Sequence, residues 1–215
     1  MNCDGIARWY RYLEYGAFGR ALERCRFAFL DHTTAAARVL MLGEGDGRFL
    51  RAFLEGNRDA AVDYVDASAE MLSLATRRAG AHAGRVQFHQ ADALNWTMPR
   101  DDYDLIVTHF FLDCFNKADM ATLVARIASH SSEATWIVSD FHQPKRGLAA
   151  IRAAGWLRLL YTFFGFTTGL TTRSLADYRP ALQVNGFRLD RAIKAEAGLL
   201  VSELWSKRPI ALRGE

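Results

Sequence analysis

The chain has 215 residues, of which 50% are hydrophobic and 24% are charged, and its formal net charge is +3. This length suits one domain with a full hydrophobic core, and the composition excludes a disordered or collagen-like chain. The 27 Lys and Arg residues are scattered, so the sequence lacks the basic run that marks a nucleic-acid surface, and we expect no nucleic-acid partner.

Cysteine usage and the apolar segments indicate the compartment. Cys3, Cys25 and Cys114 form no CxxC pair, and their odd number argues against a disulfide framework. The N-terminus has no basic segment followed by an apolar core, so it does not resemble a signal peptide. The most apolar stretch, residues 156–170, is shorter than a membrane span and contains Arg158. We therefore expect a cytoplasmic protein with no integral membrane segment, for which peripheral membrane contact remains compatible with the sequence.

Strands and helices alternate along most of the chain. Apolar positions at helical spacing in residues 5–30 predict one or two helices before the main fold, and we assign residues 1–34 to an N-terminal helical cap. Short apolar runs predict strands at 38–42, 60–66, 85–89, 103–109, 134–140, 187–193 and 199–205. Amphipathic spacing predicts helices at 48–56, 68–79, 117–129, 148–166 and 175–184.

This alternation predicts an α/β fold, namely a Rossmann-like three-layer sandwich with a mostly parallel, seven-stranded sheet between layers of helices. Only residues 194–198 separate the last two strands, and five residues are too few for a parallel crossover. Those strands must therefore pair as an antiparallel hairpin, which places an antiparallel strand at the C-terminal edge. No linker divides the sheet, so we assign residues 35–215 to one domain with an apolar insert at about 148–172.

A glycine-rich loop, VLMLGEGDGRFL, joins the first strand to the first helix. Gly43, Gly45 and Gly47 let the backbone turn tightly and approach a ligand beyond the carboxyl ends of the strands. A dinucleotide-binding fingerprint, GxGxxG, requires a glycine where this chain has Arg48. The two acidic residues of the loop would repel a pyrophosphate, so a ligand with a positive centre fits better. An ordinary tight turn is the alternative.

Two aspartates follow the next two strands. Asp66 ends the second strand about twenty residues after the glycines, where a carboxylate can accept hydrogen bonds from both hydroxyls of a ribose. Asp63 is the rival candidate, but its position in the middle of the strand favours a side chain that faces a helix end or solvent. Asp92, in HQADAL just past the third strand, is placed to meet an adenine edge or else caps its own loop.

The segments VLMLGEGDG, YVDASAEML, QADAL and YDLIVTHFFLDCF together resemble the class I S-adenosylmethionine-dependent methyltransferases over roughly residues 35–206. The resemblance implies S-adenosylmethionine as the cofactor. It assigns the methionine part to Gly43, Glu44, Gly45 and Gly47, the ribose to Asp66, the adenine side to Ala67, Ser68 and Met71, an adenine contact to Asp92 and the Ala93 backbone, and a further cofactor contact to His109. One departure is Met41, where many members carry an acid, and Glu44 is the residue that can supply that charge.

Methyl transfer requires an acceptor atom aligned with the sulfonium carbon and the exclusion of water, and it requires a general base only if the acceptor must lose a proton. The candidate residues follow the fourth and fifth strands. Of these, His109, Asp113 and His142 are the predicted catalytic residues, with Asp140 beside them. Hydrogen-bonded residues that only shape the pocket are the alternative. The histidines show no metal-ligand spacing, so we predict no metal site.

The insert after the fifth strand bears on the acceptor. If residues 156–170 form a helix, it is apolar nearly all round, and it then forms ordinary core, a self-association face or the wall of a pocket for a hydrophobic molecule. Its placement loosely resembles the substrate region of the quinone C-methyltransferases.

The sequence thus predicts a methyltransferase for a small, apolar or aromatic acceptor, methylated at oxygen or carbon. The alternatives are a methyltransferase acting on RNA or protein, a nucleotide-dependent oxidoreductase, and a non-catalytic binding protein that keeps the fold. The sequence does not predict the oligomeric state.

Overall fold

The computed structural model describes residues 20–142 and 176–208. Their strands are β1 (Arg38–Leu42), β2 (Ala61–Asp66), β3 (Val86–Gln90), β4 (Leu105–His109), β5 (Ala134–Phe141), β6 (Arg188–Ala195) and β7 (Leu200–Lys207). Their α-helices are α1 (Ala21–Arg26), α2 (Arg48–Gly56), α3 (Ala69–Ala79), α4 (Lys117–Ser129) and α5 (Arg179–Val184). Short 3₁₀ turns lie at Leu30–Thr33, Gly80–Arg85, Leu112–Cys114 and Glu196–Gly198.

All seven strands form one sheet in the order β3-β2-β1-β4-β5-β7-β6. The strands from β3 to β5 are parallel, and β7 pairs antiparallel with both β5 and β6. The predicted mostly parallel sheet with an antiparallel hairpin is therefore confirmed, and β7 is inserted one position in from the edge. Strand order reverses between β1 and β4, which is where α/β sheets bind their ligands.

Alternate residues of the strands build a hydrophobic cluster on each face of the sheet. Leu40, Ile106 and Trp136 belong to the cluster that packs against α4 and α5. Met41 and Val107 belong to the cluster on the opposite face, which packs against α2 and α3. Because helices cover both faces, parallel strands can be apolar on both sides, as their sequences are. The three-layer arrangement predicted from the sequence is confirmed.

Most element boundaries agree with the prediction to within one or two residues, but α5 starts later than expected. The predicted helix at 175–184 would place Pro180 in its interior, where proline lacks a donor and its ring clashes with the preceding turn. The helix instead begins at Arg179, so that Pro180 lies in the first turn. The helix ends at Val184, as predicted, and the chain then turns at Gly186, which has a φ of 89°, while the Phe187 amide donates to the Leu182 carbonyl at 3.0 Å.

The region before β1 is helical where it is described. Helix α1 buries Leu22 and Cys25 against Leu200 of β7, and the Ser139 hydroxyl donates to the Cys25 carbonyl at 3.1 Å. The rest of the proposed cap and the predicted helix at 148–166, with its apolar insert, lie outside the described residues, and the division at residue 34 stays a prediction. None of the helices within the described ranges has the length and hydropathy needed to cross a bilayer.

Candidate active site

The glycine loop lies between β1 and α2, beside the reversal of strand order. Gly43, Gly45 and Gly47 have φ values of 61°, 79° and 81°, a region that other residues rarely adopt. A Cβ atom on Gly43 would lie 2.1 Å from the Phe111 ring, and one on Gly47 would lie 2.6 Å from the Ala75 Cα atom. A Cβ atom on Gly45 would meet no described atom within 4 Å. Among the described residues, no atom therefore blocks the approach of a ligand to the backbone at Gly45.

The two acidic residues of the loop differ in their partners. Asp46 pairs with Arg48 at 3.0 Å and with Arg78 at 2.6 Å. Burial opposes its ionisation, but these two guanidinium groups outweigh that effect and lower the pKa of Asp46. Its charge is thus compensated, and it ties the loop to α3 through Arg78.

Glu44 is also buried, but its charge is not compensated in the same way. The Tyr64 hydroxyl donates to Glu44 Oε2 at 3.4 Å and to the Gly45 carbonyl at 2.8 Å. Glu44 Oε1 lies 3.8 Å from His109 Nδ1 and has no hydrogen-bond partner among the described residues. A buried carboxylate oxygen without a partner is costly, which makes Glu44 the residue of the loop that fits a cationic ligand group.

His109 ends β4 on the same side of the sheet as Glu44. Its ring packs edge-to-face against Phe49 with the centroids 4.6 Å apart, and neither ring nitrogen has a hydrogen-bond partner among the described residues. Burial lowers the pKa of His109, so the imidazole is neutral at pH 7. The structure therefore places His109 beside Glu44 of the glycine loop.

Asp66 ends β2 next to the glycine loop, because the Gly43 amide donates to the Val65 carbonyl at 2.9 Å. Asp66 Oδ1 accepts from the Ser68 amide at 2.9 Å, and burial raises the pKa of Asp66 to about 6. Ser68 is the N-cap of α3, and its hydroxyl accepts from the Met71 amide at 3.2 Å. Ala67 lies between these groups. The structure thus brings the predicted ribose and adenine residues of β2 and α3 together beside the loop.

Asp92 and Ala93 lie in the loop after β3, which the Ala91 amide joins to the Asp66 carbonyl at 3.1 Å. The exposed Asp92 carboxylate accepts from the Leu94 amide and the Asn95 side chain, both at 3.1 Å. These contacts support loop capping, the alternative that the sequence left open, while the contact of Asp92 with adenine stays a prediction.

Asp63 is the residue that the sequence reasoning misjudged. Its side chain is buried and does not face a helix end or solvent. It accepts hydrogen bonds from Arg100 Nε at 3.0 Å and from the Tyr103 hydroxyl at 3.0 Å, and it lies 2.8 Å from His89 Nε2. The signal available in the sequence was the charge itself, because a carboxylate in the middle of a buried strand needs charged or hydrogen-bonding partners.

The chain turns sharply after β4. Phe110 has a positive φ of 52°, and its amide donates to the Ser139 carbonyl at 2.6 Å. The next residue, Phe111, packs over Gly43, and the chain then forms the 3₁₀ turn that contains Asp113. This turn places Asp113 at the carboxyl end of β4, beside the end of β5.

Asp113 and Asp140 form a carboxyl pair at the ends of these two strands. The Asp113 amide donates to Asp140 Oδ2 at 3.2 Å, and the Phe141 amide donates to Asp140 Oδ1 at 2.8 Å. Burial raises the pKa of both carboxyls, and the charge of Asp113 raises that of Asp140 further. Two adjacent carboxyls that resist ionisation together can share one proton. His142 follows two residues later and is partly buried, which lowers its pKa.

The three predicted catalytic residues all lie at the carboxyl ends of β4 and β5: His109 ends β4 and contacts the glycine loop through Glu44, Asp113 lies in the turn after β4, and His142 follows β5. Their roles in catalysis stay predictions. Within residues 20–142 and 176–208, no three His, Cys, Asp or Glu side chains are grouped so that they could hold a metal ion.

Comparison with known proteins adds independent information. Residues 39–133 match the family described as a methyltransferase domain. Over 75 residues the chain is 43% identical to trans-aconitate 2-methyltransferase of Streptomyces avermitilis, a match that covers 34% of this chain and 28% of the relative. The match thus spans little more than a quarter of that relative's length.

Solved structures resemble nearly the whole chain. An O-methyltransferase family 2 protein from Planctomyces limnophilus, in complex with apigenin, has a TM-score of 0.70 and 19% identity over 94% of this chain and 61% of its own. The magnesium protoporphyrin IX methyltransferase of Synechocystis, with bound S-adenosylhomocysteine, has a TM-score of 0.65 and 21% identity over 95% of this chain and 94% of its own. At these identities the likeness establishes the fold. The match to the methyltransferase-domain family covers residues 39–133, which contain the glycine loop and most of the first four strands.

Proposed function

We propose that this chain is an S-adenosylmethionine-dependent methyltransferase that methylates a small, apolar or aromatic molecule at oxygen or carbon. The observation that carries the proposal is the meeting of three features at the carboxyl ends of β1 and β2. These are the backbone at Gly45, which no described side chain covers, the Glu44 carboxylate oxygen, which has no hydrogen-bond partner in the described part of the chain, and the Asp66 carboxyl. They suit a ligand with a cationic end and a ribose.

The described residues fit S-adenosylmethionine better than a dinucleotide. Glu44 provides a buried negative charge for a ligand that carries an ammonium and a sulfonium group, whereas a pyrophosphate would be repelled there. Asp66 accepts hydrogen bonds from the ribose hydroxyls, and the loop that carries Asp92 and Ala93 faces the adenine. This arrangement argues against the alternative of a nucleotide-dependent oxidoreductase.

Bound S-adenosylmethionine supplies the methyl group, and the protein has to hold donor and acceptor in line and keep water out. We assign His109 to the cofactor side, because it is buried next to Glu44. The Asp113–Asp140 pair and His142 are assigned to the acceptor side. A carboxyl pair that holds one proton can take a second from an acceptor hydroxyl, so Asp113 is the favoured general base.

The choice of acceptor rests on resemblance and composition. The structural neighbour in complex with apigenin supports an aromatic acceptor. The short match with trans-aconitate 2-methyltransferase supports the inclusion of carboxylic acids among the compounds tested. Cys25 is a buried free thiol, which supports a reducing, cytoplasmic setting.

Calorimetric titration of the wild-type protein tests the cofactor. We expect S-adenosylmethionine and S-adenosylhomocysteine to bind and NAD not to bind. Tight binding of NAD would reverse the assignment. A screen of phenols, quinones and carboxylic acids with a radiolabelled methyl donor then tests the acceptor, and no turnover on any lipophilic ring would contradict an apolar acceptor.

Binding of the donor should depend on pH through Asp66. Burial raises the pKa of this carboxyl to about 6, and the ribose hydroxyls prefer the ionised form as acceptor, so affinity should rise as the pH rises through about 6. One pH unit below that pKa, we expect S-adenosylhomocysteine to bind roughly tenfold more weakly. The stability of the free protein should change in the opposite direction. Because folding raises the pKa of Asp66, this carboxyl lowers the free energy of unfolding as the pH rises from its pKa in the unfolded chain towards about 6.

The measurement is the dissociation constant between about pH 5 and pH 7 for the wild type and for Asp66→Asn, which cannot titrate at this position. The variant should bind more weakly at neutral pH and lose most of the pH dependence. A pH profile that is unchanged in Asp66→Asn would assign the dependence to another group, such as Asp113.

A further inference from the structure

A single buried carboxylate holds both ends of the loop between β3 and β4. Asp63 lies in the middle of β2 and accepts from Arg100 and Tyr103, which belong to the last part of residues 91–104. On its other oxygen it contacts His89, the last residue but one of β3. Asp63 is fully buried, whereas the side chains of His89 and Arg100 are 24% and 32% exposed.

The middle of the same loop is fixed from other directions. The Trp96 ring packs against the His89 ring with centroids 4.9 Å apart. The guanidinium group of Arg126, on α4, donates to the carbonyls of Ala93 and Leu94. The loop segment that carries Asp92 and Ala93 is therefore fixed by two sets of contacts. The partners of Asp63 hold the two ends of the loop, and Arg126 holds the Ala93 and Leu94 carbonyls.

We propose that Asp63 is a positioning residue for the adenine end of the donor. It touches no part of the proposed ligand. It acts through His89, Arg100 and Tyr103, which hold the loop so that Asp92 and the Ala93 backbone are already in place before the donor binds. This inference rests on the proposed function, because it assumes that the donor binds at the ends of β1, β2 and β3.

The effect of removing the Asp63 charge depends on how deeply its partners are buried. The substitution Asp63→Asn keeps the size of the side chain but replaces the carboxylate with an uncharged amide. Arg100 and His89 are partly exposed and can turn towards water, so the loop should loosen while the sheet stays folded. A loosened loop has to be ordered when the donor binds, and this entropy cost weakens affinity.

The chain offers a matched control in the same loop. Asp102 also pairs with an arginine, since its Oδ2 lies 2.8 Å from Arg38 Nε, but both side chains are about half exposed. An exposed pair of this kind contributes little. Asp102→Asn therefore removes a carboxylate from the loop without removing the buried anchor.

The test compares wild type, Asp63→Asn and Asp102→Asn by calorimetry and by hydrogen exchange. We expect Asp63→Asn to bind S-adenosylhomocysteine roughly tenfold more weakly and Asp102→Asn to bind it within about twofold of the wild type. Amides of residues 91–104 should exchange faster in Asp63→Asn alone, and those of α4 and β7 should not change.

If Asp63 only stabilised the fold, the loss of affinity in Asp63→Asn would be the same whichever nucleobase the ligand carried. We therefore add the deaminated analogue, S-inosylhomocysteine, which lacks the amino group that Asp92 would recognise. Asp63→Asn should weaken the adenine ligand more than the deaminated one. Equal losses for the two ligands, unchanged affinity for the adenine ligand, or faster exchange across the whole sheet would each overturn the inference.

If Asp63→Asn does not fold, Arg100→Gln carries the same test, because it removes a partly exposed partner and leaves the buried carboxylate its other contacts. It should show the same pattern with a loss of roughly threefold. Failure of the wild type to bind S-adenosylhomocysteine would overturn the proposed function together with this inference. Binding by the wild type with no change in either loop variant would overturn this inference alone.

Discussion

Asp66→Ala is expected to weaken the binding of S-adenosylhomocysteine by roughly 1–3 kcal/mol, or about five- to 150-fold, because it removes the proposed charged acceptor for the ribose hydroxyls. The carboxyl stands at the end of β2, next to the Gly43 amide and the start of α3. Calorimetric titration at neutral pH, where the Asp66 carboxyl is mostly ionised, measures the effect.

The control is an aspartate at the other end of the same strand. Asp59 is exposed and precedes β2, far from the glycine loop along the strand, so Asp59→Ala should bind the ligand as the wild type does. The free energy of unfolding should be measured for both variants, because Asp66 also accepts from the Ser68 amide. Equal affinities of Asp66→Ala and the wild type would remove the ribose assignment.

Two substitutions in the glycine loop are expected to separate folding from ligand binding. Gly47→Ala should lower the free energy of unfolding by roughly 2–4 kcal/mol, because it combines a left-handed backbone with overpacking. The φ of Gly47 is 81°, and the new Cβ would lie 2.6 Å from the Ala75 Cα, a backbone atom that cannot move aside.

Gly45→Ala has the cost of a left-handed backbone conformation but not that of overpacking. Its φ is 79°, but no described atom lies within 4 Å of the new Cβ, so the loss of stability should be about 1 kcal/mol. The methyl group would occupy the space through which the ligand approaches, so affinity for S-adenosylhomocysteine should fall at least roughly tenfold. Urea denaturation and calorimetry measure the two quantities. Wild-type affinity in Gly45→Ala would show that the ligand does not approach this part of the loop.

The Rossmann-like sheet could be predicted from periodicity, because apolar runs and amphipathic stretches follow directly from which faces are buried. The boundary of α5 shows the limit of that reasoning. The apolar spacing continues upstream of Arg179, but Pro180 is tolerated only in the first turn, so local backbone chemistry overrides the pattern. The position of β7 between β5 and β6 also required the structure, since a five-residue connection specifies the pairing of two strands and not which of them joins the sheet.

The sequence predicted those parts of the candidate site that lie between a strand and the helix that follows it. The glycine loop, Asp66 and the N-cap Ser68 all follow a strand and precede a helix, so their place at the carboxyl edge is set by chain order. Glu44 and Asp46 are equivalent in the sequence. The structure distinguishes them, because the guanidinium groups of Arg48 and Arg78 neutralise Asp46, whereas Glu44 Oε1 has no hydrogen-bond partner among the described residues.

By itself, the sequence determined the order of strands and helices, the glycine loop and the acid that follows β2, because each depends on residues close together in the chain. The tertiary structure alone decided which buried charges are paired. Asp63 meets Arg100 and Tyr103, and Asp113 meets Asp140, across separations of 27 to 40 residues. The ionisation of a carboxyl group depends on its burial and on the charges that surround it in space, and neither can be predicted from the local sequence pattern.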